Sequence, residues 1–361
     1  MSGDFQWSSV AFGGEYYNVV DLGTLGGTRS AAWAINNNGQ VTGFAETADG
    51  RQHAIFYTGG AIYDIGAWSP GWSAGWAIND RGDVVGYIQT EHSGVLANSS
   101  FLYSQGVMNL LALTSNAYGI NSFGTIVGDY FPGYPAVFVG NGAAPFGPPG
   151  YAVAINDKNE IVGGLTDGTP FLFREGVLHN LGSLNGGPGR AWDINNLGQV
   201  VGESGGSAFL YSDGVMQNIG SGVAYGINEQ GMIVGATGAQ NAFLYVSGIL
   251  HDLNDLIDPD SGWNLLVAHG INNRGQIAGI GINSIGEEHG FMLTFEDVDP
   301  LPPTFPLPGD PIPPGADWLP PIDFPEEFPD EFQNGSVPET STAITAALIV
   351  LLTFVSRRRK R

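Results

Sequence analysis

The chain contains no cysteine, which excludes a disulfide framework, a thiolate nucleophile and any cysteine-ligated metal. Basic residues are scarce. Twelve Lys and Arg stand against 35 Asp and Glu, and five of the twelve form the terminal cluster Arg357, Arg358, Arg359, Lys360 and Arg361. A body so poor in cations, in a chain of formal net charge −23, repels nucleic acid and anionic membrane surfaces, so no nucleic-acid partner is expected. Convincing helical periodicity is missing from residues 17–295. So are a P-loop and a dinucleotide fingerprint, since Gly23, Gly26 and Gly27 follow the wrong spacing and open no helix. The six histidines recur in no motif, and among the residues directly before the seven recurring Ile-Asn pairs Asp193 is the one acid, where glycoside cleavage needs a carboxylate pair. No catalytic residue is assigned. A polysaccharide-degrading hydrolase or lyase is the alternative that a carboxylate pair would revive.

What the chain does have is a phrase repeated seven times: an aromatic or similar residue, a small residue, Ile-Asn, then four residues and [Ile/Val]-x-Gly. Its asparagines are Asn36, Asn79, Asn121, Asn156, Asn195, Asn228 and Asn272, spaced 33 to 44 residues apart. In the fifth copy, Ala191–Asn195, Gln199–Gly202, Ala208–Tyr211 and Val215–Ile219 read as four short strands. Gly-containing turns separate them, with the asparagine read as a turn former. Four strands per 40-residue repeat predict an all-β, seven-bladed β-propeller. Strict alternation places Trp192 with Ile194 on one strand face and Ala191 on the other, so that bulky rows pack on small rows between blades. The last repeat supplies three strands only. Its fourth is expected at the N-terminus, because Tyr17–Gly27 matches Val177–Gly187, a closing strand with its exit loop.

Leu22-Gly23-Thr24-Leu25-Gly26-Gly27, the Ala-x-x-Ile-Asn-x-x-Gly phrase and His53-Ala54-Ile55-Phe56 resemble the bacterial extracellular HAF repeats over roughly residues 17–295. The resemblance implies the architecture and an extracellular setting, and brings no activity. The histidine of the motif is kept in the first repeat and replaced by Ser100-Phe101, Pro170-Phe171 and Ala208-Phe209 elsewhere, which argues against a family-wide histidine site.

Composition shifts after Phe295. Residues 296–339 form an acidic, proline-rich linker, and 340–361 an apolar run, expected to be a short helix, with a basic end. Val337-Pro338-Glu339, the apolar run and the terminal basic cluster resemble the PEP-CTERM sorting signal, although Thr340 stands where the signal has proline. That resemblance implies an exosortase-type processing enzyme as partner. A plain membrane anchor is the competing reading. Both place the body at the cell surface or outside the cell, membrane-associated through the C-terminus at least before processing. Met1–Trp7, by contrast, has neither a basic start nor an apolar stretch and does not read as a secretory signal.

Residues 1–16 read as a lead-in and 17–295 as the repeat body. Within it, the irregular connections are the candidate ligand surface. Trp68, Trp72, His92, Tyr130, Tyr134 and Trp263 offer the stacking and polar anchoring that suit a carbohydrate; an envelope protein is the other partner considered. No cofactor is expected. Calcium is the one candidate metal, through Asp258 and Asp260, where alternating oxygens and Gly262 make a fragment of a calcium-loop pattern that a simple turn explains equally well.

Overall fold

A computed structural model describes residues 16–66, 71–92, 95–113, 115–140 and 142–295. The linker, the apolar run and the basic cluster, with the expected C-terminal helix and Val337-Pro338-Glu339, lie outside the described residues. The described chain is nearly all β. It holds short antiparallel strands, two 3-10 turns at Leu253–Leu256 and Pro259–Ser261, and no α-helix among the described residues.

The strands group into seven four-stranded antiparallel units, six of them built from neighbours in sequence. Units five and six share the long strand Val215–Ile227, so their ladders merge into one seven-stranded sheet. In the seventh unit the fourth strand is Asn18–Asp21, paired with Glu288–Thr294 in the register Asn18 to Thr294 through Asp21 to Phe291. The N-terminal strand thus covers an edge that would otherwise expose a row of unpaired amides and carbonyls. Tyr17 reinforces it: its ring stacks on Phe295 at 3.8 Å, and its N–H donates to the Leu256 carbonyl.

Each unit carries a β-bulge in its first strand, always at the aromatic position of the repeat. The pairing skips Trp33, Trp76, Tyr118, Val153, Trp192, Tyr225 and His269 in turn. The bulge corrects the alternation expected from sequence. Ala191 pairs with Gly202 and Ile194 with Val200, so the small residue and the isoleucine share a face and Trp192 is set apart from both. Between units the layer is filled accordingly. Val162, Leu172 and Leu181 of unit four pack with Ala191, Ile194, Val200 and Phe209 of unit five. The large third-strand residue, Phe101, Phe171, Phe209, Phe243 or Phe291, is fully buried at the centre of such layers.

The repeated second-strand glycine follows from the same bulge. A Cβ on Gly202 or Gly235 would enter the van der Waals envelope of the first-strand carbonyl opposite, at Arg190 or Val223. It would also come within 2.8 Å of the ring of Phe209 or Phe243.

Candidate functional site

The seven repeat asparagines are buried, and their side chains are fully engaged. In Asn195, Oδ1 accepts the N–H groups of Leu197 and Gln199, which closes the turn. Nδ2 donates to Gln199 Oε1 and, across the unit boundary, to the carbonyl of Asn228 at 3.1 Å. The same crossing bond runs from Asn36 to Asn79, Asn79 to Asn121, Asn121 to Asn156, Asn156 to Asn195, and Asn228 to Asn272. Asn272 returns it to the carbonyl of Asn36 at 2.9 Å, closing a cycle of seven. Asparagine was legible as a turn residue; its second role, joining each unit to the next, needs a donor and an acceptor on one short side chain.

A cavity of about 360 Å³ opens at the centre of this cycle, lined by the isoleucine, the asparagine and the following residue of every unit. The following residues form an outer course of crossing bonds. Asp80 accepts from the backbone N–H of Asn37, Asp157 from Ser122, and Glu229 from Asn196. Asn273 accepts from Glu229, and Asn37 from Asn273. The rim carboxylates are therefore acceptors for neighbouring units, and no Lys or Arg lines the cavity.

Just inside the rim lies Asp193, where the other units have Ala or Gly. Its carboxylate accepts the N–H of its own Ile194 and that of Ile227 in the next unit, both within 2.9 Å. Burial pushes its carboxyl up to about 6, opposed by those two hydrogen bonds, with Glu229 adding to the rise. The lone acid of these strands thus ties two units together.

Further along the first strands the bulged residues meet around the centre. Trp33 stacks on Trp76 at 4.0 Å and Trp76 meets Tyr118 edge-on. Trp192 meets Tyr225, and Tyr225 meets His269 at 4.9 Å. Where Val153 breaks the belt, Arg190 lies over both Tyr151 and Trp192. Belt residues and Asp193 are half-buried by surface. Burial lowers His269 to about 4, so it is neutral near pH 7.

Asp193 and His269 act oppositely on stability. The raised Asp193 pKa favours the fold at low pH, a contribution lost as pH climbs from about 4 through 6. The depressed His269 pKa favours the fold above about 6.5, a contribution lost as pH falls toward 4. The two contributions therefore run in opposite directions over the same pH range. The His269→Tyr variant is therefore expected to lose stability as pH rises from 4 to 6.5, and Asp193→Ala to gain it. Urea unfolding at pH 4.5 and 7 reads the slopes; parallel slopes in both variants would refute this pairing.

Of the ligand residues expected from the sequence, the five within the described residues lie at the opposite end of the strands from the asparagines, in or beside the connections between second and third strands and between units. Trp72 is half exposed beside the strand Val84–His92, its N–H donating to Gln89 Oε1. Tyr130 and Tyr134 face each other across a turn with Phe131 exposed at its tip. Trp263 packs edge-on to buried Phe291, a capping role. His92 ends its strand, and Trp68 lies outside the described residues. The residues fall in different units, and only Tyr130 and Tyr134 are paired.

Asp258 accepts the N–H of Asp260 and caps the turn Pro259–Ser261, and Gly262 closes it in the left-handed region. Among the described residues no group of three His, Asp or Glu is placed to hold a metal ion.

The histidines, expected to be unrelated, include a matched pair. His53 and His289 occupy the same third-strand place in units one and seven. Each sets Nδ1 2.8 Å from the aspartate that ends the fourth strand, Asp64 or Asp21. Those aspartates in turn accept from Gly66 and Gly23, fixing the exit loop. The His-Ala-Ile-Phe and His289-Gly290-Phe291 spellings carried that signal.

No family model matches the chain, and no curated protein matches it. Solved structures similar to it include a Thermus thermophilus protein described as an oxidoreductase (glucose dehydrogenase), at TM-score 0.37 and 10% identity over 77% of this chain and 100% of that one. Another is a triple-arginine variant of AofleA from Arthrobotrys oligospora, at TM-score 0.32 and 12% identity, covering 77% and 86%.

Proposed function

We propose that the seven units close into a seven-bladed β-propeller that serves as a non-catalytic binding or structural module of a bacterial cell envelope or exopolymer matrix. The protein is exported, carried on its acidic proline-rich stalk, and sorted or anchored by its C-terminus. The observation that carries the propeller is the cycle of seven asparagine bonds, since a bond returning from the last unit to the first requires the ends of the series to meet. The non-catalytic reading rests on the carboxylates. Asp80, Asp157, Asp193 and Glu229 each accept a backbone N–H from a neighbouring unit, which holds them in structural work. The surface setting rests on the composition of residues 296–361 and on the scarcity of cations in the body.

A retention screen of the full chain, in detergent, against acidic and neutral exopolymers and envelope glycans tests the binding reading. Specific retention that survives EDTA is the expected result, because no metal site carries the proposal. Polymer cleavage during the screen would favour the degrading enzyme instead.

A further inference from the structure

Along the first strands, polar side chains are satisfied by their neighbours at the asparagine end and left over at the belt. The Arg190 guanidinium carbon lies 5.3 Å from the ring of Tyr151 and 4.9 Å from that of Trp192. Such stacking holds the guanidinium by its face and leaves the in-plane N–H donors unused. None of the ion pairs among the described residues involves Arg190. Glu203, opposite it across the strand pair, lies toward Tyr225, whose hydroxyl is raised by burial and then by Glu203. Arg190 leans the other way, over Gly164, where an added Cβ would come 3.1 Å from its Cγ.

Beside this cation the indole N–H of Trp192 is buried and has no hydrogen-bond partner among the described residues, and so is that of Trp76. A buried donor without an acceptor is destabilising, and an acceptor brought by a ligand would relieve it. Tyr118 adjoins the cluster from unit three; burial and then Asp129 raise its hydroxyl, and Arg190 acts on it in the opposite sense. The place therefore offers aromatic faces, unused donors and one fixed positive charge.

We propose that Tyr151, Arg190 and Trp192 form a site for a single carboxylate-bearing sugar unit, a uronate, toward the ends of the first strands away from the asparagines. The carboxylate takes the guanidinium edge, a charge-assisted pairing in the geometry that arginine favours. The indole N–H donates to a ring or hydroxyl oxygen, and the apolar sugar face lies on the belt. The chain's negative charge opposes an anion at long range, but at physiological salt that field is screened beyond about 8 Å, and Arg190 is the charge in contact. This inference rests on the reading of the chain as a binding module, and it places the contact at the centre instead of in the outer loops.

The test titrates the full chain in detergent with D-glucuronate, D-glucose and acetate, reading tryptophan fluorescence and heat. Saturable binding of glucuronate in the range up to about 10 mM is expected, with glucose and acetate much weaker. Arg190→Met is expected to weaken glucuronate about tenfold or more, and Trp192→Phe, which keeps the ring and removes the N–H, by a smaller factor. Glucuronate binding unchanged in both variants overturns the site, as does equal binding of glucose or acetate, or no saturation at all. The two proposals fail separately. Retention of an acidic polymer that free glucuronate neither binds nor displaces would sink this site and keep the module; glucuronate binding without polymer retention would do the reverse.

Discussion

Asn272→Ala lowers the unfolding free energy by about 4 kcal/mol. Four hydrogen bonds end on that side chain: donations to the Asn36 carbonyl and to Gln276, and acceptances from the N–H groups of Arg274 and Gln276. Each contributes about 1 kcal/mol net, and buried partners left unpaired add to the cost. For a body of this size that is a fall in Tm of roughly 10 °C. The informative comparison is with Asn121→Ala, far from the chain's ends in sequence. Asn121 also holds four bonds, accepting from Phe123 and Thr125 and donating to the Asn156 carbonyl, but its other donation crosses to Asn159 Oδ1 in the next unit, where that of Asn272 stays in its own turn. The bond from Asn272 joins residues 236 apart, and in a closed cycle it is worth what the others are. Urea unfolding of both variants is expected to agree within about 1 kcal/mol. A cost near zero for Asn272 alone would mean that the last unit does not hold the first.

Gly235→Ala is expected to be more damaging still, costing more than about 4 kcal/mol or preventing folding. Its Cβ has nowhere to go. The Val223 carbonyl stands on one side and the buried ring of Phe243 on the other, at 2.8 Å, and neither belongs to a flexible side-chain end. Relief would require the bulge at Tyr225 to flatten, which would move that residue out of the belt. The control is Gly214→Ala. There φ is +83° but nothing lies within 4 Å, so only the backbone preference is lost, about 1 to 2 kcal/mol. Circular dichroism melts of the two variants separate crowding from conformational strain; equal shifts would remove the argument from close approach.

Much of this arrangement is legible in the sequence, and the limits have physical causes. Four strands per repeat, the turn after each asparagine and the N-terminal strand in the last sheet all follow from local patterns and one internal match, Tyr17–Gly27 against Val177–Gly187. The side on which the aromatics point does not. A bulge adds one residue to a strand without changing its spelling, so Ala191-Trp192-Asp193-Ile194 reads as plain alternation. The clue was the invariable glycine of the second strand, which is needed because the bulged first strand brings a carbonyl against it. The donor role of the asparagines was hidden because its partner lies 33 to 44 residues away and is a backbone carbonyl, which leaves no mark on composition. Arg190 escaped notice for a related reason. It matters through Tyr151 in the unit before, and nothing in its own repeat distinguishes it from a surface charge.

Closure of the seven units by the N-terminal strand is the claim on which the rest depends, and removing residues 1–23 tests it most directly. The deletion strips Asn18–Asp21 from its partner strand and takes Tyr17 from Phe295. It also removes the acceptor that His289 holds, Asp21. The account predicts a fall in Tm greater than that of any single asparagine variant, with the edge of Glu288–Thr294 opened to exchange and to association. A truncated chain that melts where the full chain does would contradict it.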